Sequence, residues 1–167
     1  LIENTEFETI NNISSIHAAR KVMGTADCFI CEADLYISDL SIFDAELSRS
    51  CYYGKMVPGF SDDWVFDWDG ERITRVGKEG TDRYNMVGVS YFKKADAAVI
   101  RDAIDAAYEK PGYEGLYWDE IVDRQLDKLN LDIHPVEKEQ IVEIDSVAEL
   151  AVIDESYREV LEKMQAE

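Results

Sequence analysis

The stretch from Cys51 to Phe92 constrains this chain more than any other part of it. In Asp63-Trp64-Val65-Phe66-Asp67-Trp68 the aromatics alternate, which places all three on one face of a strand. Asp69-Gly70 follows, a dipeptide suited to a type I′ hairpin turn, and Glu71 to Val76 is predicted to return antiparallel. Cys51 to Met56 reads as an earlier strand closed off by Pro58-Gly59. Gly77 to Asp82 reads as a second turn, leading to a long strand from Tyr84 to Phe92.

Helical patterns flank this centre. Asn11-Asn12 is predicted to cap a helix with Ile13, Ile16, Ala19 and Met23 on one face, ended by Gly24. Asp96 is predicted to cap a second, whose Val99, Ile100, Ala103, Ile104 and Ala107 recur at helical spacing before Pro111-Gly112 breaks it. A third covers about 116–129, with Trp118, Ile121, Val122, Leu126 and Leu129 inward. Leu131–Val136 and Gln140–Ile144 read as strands. The last helix opens on the capping box Ser146-Val-Ala-Glu149 and buries Leu150, Tyr157, Leu161 and Met164. Residues 27–33 form a short apolar run of the kind buried on both faces of a sheet, taken here as a central strand. This mixture predicts an α/β layer fold in a single domain. Leu1-Ile2-Glu3-Asn4 reads as the end of a strand already under way, as in a fragment.

The 17 basic and 36 acidic residues give a net charge of −19, which argues against nucleic acid or an anionic membrane as partner. That charge suits a cationic ligand or a divalent metal. No apolar run approaches the ~20 residues of a membrane span. The three cysteines, Cys28, Cys31 and Cys51, are an odd number, and Cys28-Phe-Ile-Cys31 lies on a strand whose residues three apart face opposite ways. They read as buried, reduced thiols of a cytoplasmic protein, not a zinc site.

Three groups of residues could do chemistry. Glu32-Ala33-Asp34 sets two carboxylates on one face at the C-terminal end of a strand, where open α/β sheets bind ligands. Glu143-Ile144-Asp145-Ser146 repeats the spacing where a strand meets a helix, although Asp145 and Ser146 also suit a helix cap. Two such pairs converging on one edge meet the needs of an octahedral Mg²⁺ with phosphate ligands. Gly115-Leu-Tyr117-Trp118-Asp119 is an aromatic–acid cluster. Trp118 lies on the apolar stripe, while Tyr117 and Asp119 flank it and, with Trp64, offer what a quaternary ammonium needs. Ordinary aromatic packing accounts for the same residues. Gly77-Lys-Glu-Gly80-Thr81 lacks phosphate-loop spacing and reads as a turn. His17 and His134 are isolated and support no nucleophilic triad.

Leu116-Tyr-Trp-Asp119 and Val142-Glu-Ile-Asp-Ser146, with Glu32-Ala-Asp-Leu-Tyr36 and Asn11-Asn12, resemble motifs of the bacterial choline-phosphate cytidylyltransferases, over most of the chain. The resemblance implies a Rossmann-like nucleotidyltransferase fold with a mixed central sheet flanked by helices, incomplete at its N-terminus. It implies Mg²⁺-dependent transfer of CMP from CTP to phosphocholine. Asp34 and Asp145 would be catalytic metal ligands. Trp64, Tyr117 and Asp119 would line a choline cage, with Glu143 facing the ammonium; Asn12 has no assigned role. Family members begin with a glycine-rich loop bearing an arginine and a lysine that holds the nucleotide. That loop has no counterpart here, so an exposed edge, a homodimer or a partner chain is expected. Phosphoethanolamine, an aminophosphonate or a sugar phosphate are alternative acceptors, and a non-catalytic module binding quaternary ammonium is a further alternative. A primary ammonium would want carboxylate hydrogen bonds more than aromatic faces.

Overall fold

The computed structural model describes residues 1–165. In chain order the elements are α1 (Ile13–Ala18), β1 (Cys28–Cys31), β2 (Leu35–Ile37), β3 (Cys51–Trp68), β4 (Ile73–Phe92), α2 (Lys94–Tyr108), α3 (Trp118–Asp123), β5 (Asp132–Pro135), β6 (Ile141–Glu143), α4 (Val147–Ile153) and α5 (Arg158–Gln165). The main sheet has the order β1-β4-β3-β5, and β2 and β6 form a separate two-stranded ribbon. Among the described residues only the β3–β5 pair is parallel, so the main sheet is mixed as expected.

The hairpin β3–β4 dominates the fold and is longer than the sequence pattern suggests. β3 runs unbroken through Pro58-Gly59, and β4 unbroken through Gly77–Asp82. Glu79 (φ 67°) and Asp82 (φ 54°) sit in the left-handed region and bend β4. It therefore flanks Val65 and Phe66 twice, once with Gly77 and Val76 and again with Asn85 and Tyr84. Asp67 holds the bend, accepting from Nε of both Arg75 and Arg83 at 2.9 Å. At the tip Gly70 alone has positive φ (101°), so the turn is not type I′, which needs two such residues.

One core cluster gathers Tyr52, Phe66, Val76 and Phe92 from the sheet with Ile13, Ile100, Ile104, Trp118 and Ile121 from the helices; a smaller one gathers Cys51, Tyr53, Val87, Val89 and Ile141. α2 carries its whole expected stripe, but the other helices are shorter than predicted. α3 ends at Asp123, and the last helix is split by Asp154 into α4 and α5, leaving Tyr157 and Met164 exposed instead of buried. The caps also differ. Asn12 Oδ1 accepts from the Trp118 N–H at 3.0 Å, capping α3 and not α1, and Asp27 Oδ1, not Asp96, accepts from the Lys94 N–H at 2.8 Å to cap α2. Leu1–Asn4 is not in a strand. β1 is an edge strand in which Cys28 and Ile30 are half-buried while Phe29 and Cys31 are exposed, not a central strand covered on both faces.

Gly88 joins this frame to the acidic residues. Its φ of +73° favours glycine, and a Cβ there would lie 2.7 Å from Glu32 Oε2 and 3.0 Å from a Leu35 methyl. The Gly88 carbonyl accepts from the Glu32 N–H at 2.9 Å, extending the β1–β4 pairing by one step. Gly88→Ala should cost about 1–3 kcal/mol in urea unfolding and displace the Glu32 carboxylate. An unchanged unfolding midpoint would contradict this account.

Candidate active site

The ribbon brings the two acidic motifs together. Leu35 pairs with Glu143, and the Ile144 N–H donates to the Asp34 carbonyl at 2.8 Å, so the end of Glu32-Ala-Asp34 meets the start of Glu143-Ile-Asp145. One carboxylate oxygen each of Glu32, Asp34 and Glu143 lies within 4.8 Å of the other two. Three oxygen donors at that spacing fit a hard divalent cation. Asp145 lies outside this trio at the entry to α4, where its N–H donates to Glu149 Oε2 and Ser146 caps the helix. Its charge still reaches the trio. Burial first, and then Asp34, Asp63 and Asp145, raise the Glu32 pKa; burial and then Asp145, Asp34, Glu32 and Asp63 raise that of Glu143. Like charges gathered at one place hold protons more tightly.

The aromatic–acid cluster divides between two environments. Trp64 and Tyr117 meet edge to face, with ring centroids 5.4 Å apart. Together they line a cavity of about 560 Å³ with Gly77, Lys78, Arg124 and Glu120. Lys78 Nζ stands 5.7 Å from the Trp64 centroid and 5.1 Å from that of Tyr117, within cation–π range of both. The aromatic pair expected to receive a quaternary ammonium thus already holds a cation of the protein. Asp119 faces elsewhere. It is 2% exposed and accepts from the Tyr52 hydroxyl at 2.9 Å in the core, so it is not part of that aromatic wall. Of the residues outside the expected set, Glu32 was signalled by its motif and Asp63 adds to the field on the trio. Tyr52 was only one residue of the strand read from Cys51 to Met56, and Lys78 part of a turn.

The curled mixed sheet with helices on its flanks is the fold of the nucleotidyltransferases. The chain shares it with the CTP:phosphocholine cytidylyltransferase of Streptococcus pneumoniae, at TM-score 0.77 and 23% identity, covering 93% of this chain and 67% of that one. The inositol-1-phosphate CTP transferase of T. maritima follows the same fold at TM-score 0.60 and 17% identity, covering 93% and 62%. No family model matches the sequence. Among curated relatives, the 2-aminoethylphosphonate cytidylyltransferase of Lancefieldella rimae is 51% identical over 158 residues, or 94% of this chain. The choline-phosphate cytidylyltransferase of Streptococcus pneumoniae is 25% identical over 93% of this chain. The chain spans 64% of the length of the first of these relatives and 67% of the second.

Burial pushes the Asp119 carboxyl up to about 7; the Tyr52 hydrogen bond opposes that rise and the Glu32 charge adds to it. Between the unfolded value near 3.8 and this folded value, the folded state binds more protons than the unfolded one. Stability must therefore fall as pH rises through that window, by up to about 4 kcal/mol from this group. Urea unfolding at pH 5 and pH 8 should show about 3 kcal/mol of this loss, and Asp119→Asn should reduce it. A loss of the same size in Asp119→Asn would assign it to other groups.

Proposed function

We propose that this chain provides the metal- and acceptor-binding part of a cytidylyltransferase that joins CMP from CTP to a small phosphonate or phosphate carrying a primary amine, 2-aminoethylphosphonate foremost. The convergence of Glu32, Asp34 and Glu143, with Asp63 and Asp145 in electrostatic reach, is the observation that carries this reading. Clustered carboxylates serve both a hard cation and a primary ammonium, which needs hydrogen-bond acceptors. The 51% identity to the Lancefieldella rimae enzyme supports the choice of acceptor. Phosphocholine is the second reading, favoured by the similarity to the pneumococcal protein.

In this reaction an acceptor oxygen attacks the α-phosphorus of CTP in line, the bond to the β-phosphate bridge breaks, and pyrophosphate leaves. Phosphonate and phosphate oxygens are already nucleophilic, so the protein's work is alignment and neutralisation of charge. Asp34, Glu143 and Glu32 would hold Mg²⁺, with Asp145 beside them. Bound there, the ion would offset the negative charge of the phosphoryl oxygens. The carboxylates left free of it would orient the acceptor's amine.

Pyrophosphate release, measured on the protein expressed from its complete reading frame with CTP and Mg²⁺, tests the proposal. Release should favour 2-aminoethylphosphonate over phosphocholine by about tenfold or more, equivalent to about 1.4 kcal/mol of discrimination. Asp34→Asn should reduce it by at least about a hundredfold. Preference for phosphocholine would overturn the acceptor, and no release with either would overturn the reaction.

A further inference from the structure

We infer that Lys78 sets acceptor choice by filling the Trp64–Tyr117 pair with the protein's own ammonium, so that trimethylammonium groups are refused and primary amines are left to the carboxylates. The inference deepens the acceptor reading above and rests on it.

The placement of Lys78 is built into the hairpin. Trp64 and Lys78 are direct cross-strand partners of β3 and β4. Side chains opposite each other across an antiparallel pair emerge on the same face, so the lysine stem rises beside the indole. Its backbone is fixed from below: Arg75 Nη1 donates to the Lys78 carbonyl at 3.2 Å and Nη2 to the Glu79 carbonyl at 2.9 Å. Arg75 is itself held on Asp67. Tyr117 closes the other side as the residue preceding α3.

The charges around the cavity keep Lys78 on the rings. Glu120 accepts from the Tyr117 N–H and Asp123 from the Val76 N–H, both at 2.8 Å, so each carboxylate is engaged with backbone. Lys78 makes no ion pair with either among the described residues. Arg124, on the same cavity wall, also makes none among them. A second cation entering here would find the aromatic faces taken by Lys78, Arg124 standing on the same wall, and one oxygen of each nearby carboxylate already committed to a backbone N–H. Quaternary ammonium cannot donate a hydrogen bond and depends on aromatic faces, so it loses most. A primary ammonium can use carboxylate oxygens and does not need this pair.

Removing the lysine should therefore open the cavity to choline. Lys78 is exposed, so its replacement removes no core contact. The 167-residue chain, with Lys78→Met, Lys78→Arg and the double variant Lys78→Met/Trp64→Phe, is titrated with choline chloride at constant ionic strength. Binding is followed by the indole N–H resonances of the three tryptophans. Wild type and Lys78→Arg should show no saturable shift. Lys78→Met should gain saturable binding, at least about tenfold tighter than wild type, with the shift centred on Trp64 and lost in the double variant. Choline binding by wild type as tight as by Lys78→Met would overturn the inference. So would no gain in a Lys78→Met protein whose spectrum shows the wild-type fold. The titration needs no turnover, so failure of the pyrophosphate assay would strike the proposed reaction and leave this result to stand on its own.

Discussion

The double use of Val65 and Phe66 by β4 is the constraint from which the rest of the molecule follows. A flat hairpin would carry Trp64 and Lys78 away from the helices. The bend at Glu79 and Asp82, held by two arginines on Asp67, instead curls the sheet against α3 and brings Tyr117 to Trp64. Shared ionic contacts of this kind are individually weak at the surface. Here they act on a bend whose inner side, Val65, Phe66 and Val76, is buried, and the apolar contacts supply most of the holding force.

The acidic residues occupy a different and lighter structure. The ribbon has three residue pairs, and its carboxylates repel one another. Glu32 does not belong to it, being set by the last step of β1 against Gly88. Asp119 lies deeper still, under Tyr52, where it feels Glu32 without touching the cavity of Trp64. The carboxylate trio and the Trp64–Tyr117 cavity are therefore separate places in the molecule, with no lining residue in common.

Much of this was legible in the sequence. The alternation of a β-rich centre with flanking helices, the two acidic motifs and the capping box at Ser146 follow from local pattern and spacing, whereas β2 carries no signal of its own. What was not legible depended on long-range geometry. A two-residue turn at Asp69-Gly70 would pair Trp64 with Arg75. In the structure Asp69 Oδ1 accepts from the N–H groups of Glu71 and Arg72, the loop widens by two residues, a bulge between Asp67 and Trp68 adds one more, and Lys78 becomes the partner. The burial of Asp119 could not be read from helical spacing, because the helix that carries it is only six residues long and is oriented by Asn12 from the other end of the chain. The edge position of β1 was hidden for another reason: Phe29 leans on Phe43 and Tyr91, so an apolar run does not here mean a strand enclosed on both sides.

Glu32 follows the last residue of β1 in the main sheet, while Asp34 precedes β2 and Glu143 ends β6 in the ribbon, so the acidic trio is a seam between the two. Whatever cation enters it fastens two pieces of backbone that are otherwise joined by a short link through Ala33. By linkage, a cation held there would stabilise the arrangement in which the seam is closed over any in which it is open.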